Sequence, residues 1–79
     1  MTLLSYVQTH SAAAADLEIT NFSGLTSICE RLHEMGLHKG QTIRLLGRAP
    51  LKGPVLIQFG TSFLALRAEE AQCTLIQTR

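Results

Sequence analysis

A small, partly open antiparallel β-barrel of about five strands, with one helix inserted after the first strand, is the fold class this chain predicts. Three observations lead there. Short apolar or alternating segments recur between glycine, proline and small polar residues, the pattern of strands joined by turns. Only one stretch, Leu25 to Met35, carries a helical period closed by a glycine. The chain has 79 residues, of which 46% are hydrophobic and 16% charged. So short a chain buries a thin core, and its sheet edges are best managed by closing the sheet on itself.

The elements follow in order. Thr2 to His10 is short and mildly apolar, and reads as a turn of helix or a segment lying against the domain. The run Ala12-Ala-Ala-Ala15 has helical propensity, whereas Leu17-Glu18-Ile19-Thr20 alternates as a strand does. A strand is expected over Asp16–Asn21, with the alanine run left open. Leu25, Ile28, Cys29, Leu32 and Met35 share one helix face. Ser27-Ile-Cys-Glu30 fits a capping box, with Ser23 as the alternative cap. Gly36 is expected to end the helix at positive φ, with Leu32 and Leu37 in the contact that accompanies a Schellman cap.

Lys39-Gly40 gives a second turn, and Gln41–Leu46 a strand with Ile43 and Leu45 on one face. Gly47 to Pro54 is expected as a loop, because neither proline can donate to a ladder. Val55–Phe59 is a strand, Gly60-Thr61 a hairpin turn, and Ser62–Leu66 its partner strand. Arg67–Gln72 suits one helical turn and Cys73–Gln77 a last strand. The whole reads as a single domain over 1–79, core about 11–77, of the SH3-like kind.

Composition argues against several function classes. A net charge of +1 gives no basic excess for phosphate contacts. With no Trp and one Tyr, stacking platforms for single strands are poorly supplied. Met1-Thr-Leu-Leu-Ser-Tyr-Val lacks a basic start and a long apolar core, so it is not a secretory signal. No apolar run has the length of a membrane span, and a cytoplasmic location without membrane insertion is expected. Cys29 and Cys73 lack C-x-x-C spacing. They are read as buried free thiols suited to a reducing compartment, although pairing is not decided by sequence. Neither has an adjacent base, and His10 and His38 fall in expected turns without a Ser or Asp arrangement, so no catalytic residue is assigned. Gly36-x-x-x-Gly40 lacks the Lys-Ser/Thr of a phosphate loop.

Read in order, Arg31-Leu32, Met35-Gly36-Leu37, Gly40, Arg48-Ala49-Pro50-Leu51, Gly53-Pro54 and Leu64-Ala65-Leu66-Arg67 resemble the FeoA family of small cytoplasmic proteins of bacterial ferrous-iron uptake. The likeness runs from about Ile19 to Ile76. It departs at Lys39, where proline is common, at Lys52-Gly53, which replaces Gly-Asp, and in the alanine run. The resemblance implies an SH3-like barrel that is not an enzyme and that binds or regulates FeoB, the membrane ferrous-iron permease with a cytosolic GTPase domain. The same barrel occurs as the C-terminal domain of repressors resembling the diphtheria-toxin repressor. The alternative is therefore a protein- or peptide-binding module of another metal-responsive system. No preceding DNA-binding helix-turn-helix is expected, and a nucleic-acid partner is a distant third reading.

Two prolines stiffen the loop Arg48–Pro54 and lower the entropy lost on binding. Leu51 would be its apolar anchor, with Arg48, Pro50, Lys52 and Pro54 around it. The competing reading is that the prolines only shape a hairpin. Arg31, at the helix end, is a second partner candidate against a plain solvated charge. Gly36, Gly40, Leu32 and Leu37 are structural. Glu30, His33, Glu34 and His38 could share a weakly held Fe2+ or Zn2+, but solvated side chains are the stronger reading, so no cofactor is assigned. Strand edges leave room for a homodimer, above all beside the two-proline loop.

Overall fold

A computed structural model describes residues 1–10 and 14–79. The elements are α1 (Leu3–Thr9), β1 (Ala15–Phe22), α2 (Thr26–Glu34), β2 (Thr42–Arg48), β3 (Val55–Phe59), β4 (Ser62–Leu66), α3 (Ala68–Gln72) and β5 (Thr74–Thr78). The strands form one antiparallel sheet in the order β4-β3-β2-β1-β5. Two register shifts, at Ile19/Asn21 and Leu45/Gly47, are bulges that bend the sheet. Among the described residues no ladder joins β4 to β5. Where closure of the sheet on itself was expected, the short α3 links its two ends instead.

Alternation decides the core. Leu17 and Ile19 of β1, Ile43 and Leu45 of β2, and Val55 and Ile57 of β3 are buried. So are Leu66 of β4 and Ile76 of β5. Leu17 lies opposite Ile43, and Ile19 opposite Ile76. Leu3, Tyr6 and Val7 of α1 join them. The Thr2 side chain caps this helix, accepting from the Ser5 N–H at 3.0 Å. The N-terminal segment is thus a helix, and Met1 and Thr2 bond to the outer edge of β5 at Ile76 and Leu75. Of the alanine run, Ala15 begins β1, and Ala12 and Ala13 lie outside the described residues.

The helix stop is as the sequence predicts. Gly36 has φ 99°. The Leu37 N–H donates to the Leu32 carbonyl at 3.1 Å and the Gly36 N–H to that of His33 at 3.0 Å. These are the two bonds of a Schellman motif, and Leu32 and Leu37 are both fully buried. The helix start differs. Ser27 and Glu30 form no capping box, because α2 begins at Thr26 behind Leu25, which makes no side-chain cap bond. The cause is tertiary. Gly24, at φ 113°, packs on Cys73, where an added Cβ would lie 2.6 Å from Sγ. Ser23 also donates its N–H to the Cys73 carbonyl at 2.9 Å. This docking sets the start, so Leu25 precedes the helix and is exposed rather than part of its apolar face.

A second correction concerns Gly47. It does not open the loop. It sits in the β2 bulge at φ 147°, and β2 runs on to Arg48. The connection to β3 is therefore only residues 49–54.

Candidate partner-binding surface

The β2–β3 connection is a strained turn held by its own chain. Leu51 and Lys52 have φ 61° and 57°. With the Gly53 N–H donating to the Pro50 carbonyl at 3.2 Å, this is the pattern of a type I′ turn. Side chains other than Gly, Asn and Asp are costly there, at roughly 1–3 kcal/mol per residue. Gly53 is required for space: a Cβ would meet that of Ala49 at 2.8 Å. The Ala49 N–H donates to the Pro54 carbonyl at 2.9 Å and closes the turn.

Arg48 is turned onto the same turn. Its Nε donates to the Gly53 carbonyl at 2.9 Å and its Nη2 to the Lys52 carbonyl at 3.3 Å. It braces the loop rather than reaching outward. What the loop presents is Leu51, 99% exposed, with Pro50, Lys52 and Pro54 exposed around it. Lys52→Gly should relieve half of the turn strain and raise stability by roughly 1 kcal/mol. A thermal melt would then shift up by about 4–8 °C; an unchanged or lowered melting point would show that the turn stores no such strain.

Beside the loop, the outer face of β2–β4 is apolar. Leu46, Leu56 and Phe63 are exposed by 39%, 38% and 66%, and with Leu64 and Ala65 they line an open depression of about 330 Å³. Sequence reasoning expected exposed apolar area but did not locate it. The signal was present in β3, where Leu56 occupies the outward position between buried Val55 and Ile57.

The helix-end residues do other work. Arg31 Nη1 lies 3.3 Å from Glu70 Oε2, tying α2 to α3. Glu70 is buried, and its Oε1 accepts the Arg67 N–H at 2.8 Å. Lys39-Gly40 forms its turn with Gly40 at φ 86°, donating its N–H to the Ile19 carbonyl at 2.7 Å. His33 Nδ1 lies 2.6 Å from the Cys29 carbonyl oxygen, its ring packs on Phe22, and the His38 ring is 6.3 Å away. Glu30 and Glu34 are exposed. Among the described residues no three His, Cys, Asp or Glu side chains converge on a metal position. Cys29 is half-buried and Cys73 buried, and both are free thiols. No helix among the described residues is long and apolar enough to cross a membrane.

The chain is a curled five-stranded sheet with an apolar outer face and a braced, leucine-tipped loop. The chain belongs to the FeoA domain family, whose model matches residues 13–77. That is a family of small accessory domains associated with ferrous-iron transport and not a known enzyme family. No curated protein matches the chain. Among solved structures, a FeoA-like protein from Clostridium acetobutylicum aligns with TM-score 0.82 at 19% identity, over 99% of this chain and 85% of that one. FeoA from Chlorobium tepidum aligns with TM-score 0.79 at 24% identity, over 99% and 70%. The manganese regulator SloR shares the fold at TM-score 0.83 and 15% identity. This chain spans all of its own length but only 34% of SloR's and 37% of that of the Zn2+-bound ScaR structure.

Proposed function

We propose that this chain is a non-enzymatic accessory or regulatory protein of ferrous-iron uptake that binds the cytoplasmic GTPase region of a FeoB-type permease. Family membership supplies the transport context. The observation that carries the contact is Leu51, fully exposed on a turn whose backbone is fixed by Arg48 and Gly53. A preorganised apolar anchor loses little entropy when it docks, which is what a binding hot spot needs. The apolar face at Leu46 and Leu56 offers a second contact area beside it.

The fold shared with SloR and ScaR supports a second reading, a protein- or peptide-binding module of a metal-responsive regulator. Calorimetric titration of the chain with an isolated permease GTPase domain separates the two. Saturable binding is expected under the first reading; absence of binding would remove it and leave the second.

A further inference from the structure

We infer that β4 is a self-association edge: two copies of this chain join antiparallel through their β4 strands, about a two-fold axis at Leu64. The β3–β4 hairpin turns through Gly60-Thr61, with Phe59 opposite Ser62. Gly60 has φ 58°, the type II′ pattern of a two-residue turn. Alternation from that closing pair turns the backbone N–H and C=O of Ser62, Leu64 and Leu66 toward β3, and those of Phe63 and Ala65 outward. Among the described residues nothing pairs with this outer edge. At the other end of the sheet, Met1 and Thr2 bond to β5. β4 also lacks the usual defences of an edge strand, since Ser62–Leu66 contains no charge and no proline.

The available groups select the register. With Leu64 opposite Leu64 of the second copy, each Phe63 faces an Ala65, and all four outward groups of each strand are paired. Centring on Ala65 would need the Arg67 N–H, which already donates to Glu70 Oε1 at 2.8 Å. Centring on Phe63 would need Thr61, which lies in the turn. In the Leu64 register, bulky Phe63 packs beside small Ala65 on the outer face, where both are exposed. Each Phe63 also extends the apolar strip that Leu56 begins.

Charge favours the same arrangement. Arg67 faces Thr61 of the second copy, six positions from that copy's own Arg67. The two cations are then about 20 Å apart, beyond the ~8 Å screening length at physiological salt. The seam is narrow, below the ~800 Å² per partner of a standard interface, so the dimer forms with rising concentration rather than being permanent.

Sedimentation equilibrium on the whole chain, from about 10 µM to about 1 mM, spans the affinities such an interface allows. The weight-average mass should rise from 8.6 kDa toward twice that value. Amide exchange at Phe63 and Ala65 should slow over the same range. Ala65→Pro removes an outward N–H that the β3 ladder does not use, and Ala65→Lys puts a charge on the seam. Both should remain monomeric at the highest concentration with the sheet intact by circular dichroism. Leu51→Asp should dimerise as the parent does, which keeps this result independent of the permease reading. A mass that stays at the monomer value, or a dimer that survives folded Ala65→Lys, overturns the inference.

Discussion

Leu37→Ala is expected to cost about 3 kcal/mol, within the range for emptying a buried leucine site. A domain of this size has roughly 4–12 kcal/mol of stability in total, so the loss is a large fraction of it. Leu37 is fully buried and follows the Gly36 stop, where its N–H closes the cap on Leu32. Its side chain therefore ties the end of α2 to the core at the point where the chain turns toward β2. The surrounding backbone is held by the Gly40 bond to Ile19, so the site cannot easily collapse on the cavity. Denaturant unfolding monitored by circular dichroism measures the loss. A change below about 1 kcal/mol would mean that the helix end is not anchored in the core.

Glu70→Ala is expected to cost about 2–3 kcal/mol, and Arg31→Ala less, about 1 kcal/mol. The asymmetry follows from burial. The Glu70 side chain is 6% exposed, and its two oxygens serve the Arg67 N–H and the Arg31 guanidinium. Truncation leaves the first turn of α3 without its acceptor. The Arg31 side chain is 55% exposed, so solvent screens the ion pair, and Arg31→Ala leaves only Glu70 Oε2 without a protein partner while Oε1 keeps the Arg67 N–H. Glu70→Gln keeps one acceptor for Arg67 and should fall between the two. Equal losses from Glu70→Ala and Arg31→Ala would show that the ion pair, not the backbone cap, carries the effect.

The sequence could foretell features set by local chemistry. The Schellman stop at Gly36 follows from Leu32, Gly36 and Leu37 alone, and the β3–β4 hairpin from alternation around Gly60-Thr61. It could not foretell features set by distant packing. Gly24 against Cys73 moves the start of α2 away from the Ser27–Glu30 pattern. The bulge at Gly47 lets β2 continue through a residue that reads as a breaker. At the candidate site, the prolines marked the loop, but the division of labour within it depends on geometry. Arg48, which sequence placed with the partner residues, folds back onto the carbonyls of Lys52 and Gly53. Leu51 is left 99% exposed at the loop's tip. Arg31 is likewise engaged by Glu70, 39 residues away, a pairing that no local pattern announces.

If Leu51 docks on the permease as proposed, the contact should be lost with its side chain. Because the residue is 99% exposed and Asp tolerates its positive φ better than Leu, Leu51→Asp should leave the melting temperature unchanged or raise it. The direct measurement is a calorimetric titration of the parent chain and Leu51→Asp against a FeoB-type GTPase domain at equal concentrations. Saturable binding by the parent and at least about tenfold weaker binding by the variant are expected. Equal affinity for the two chains would contradict the proposal.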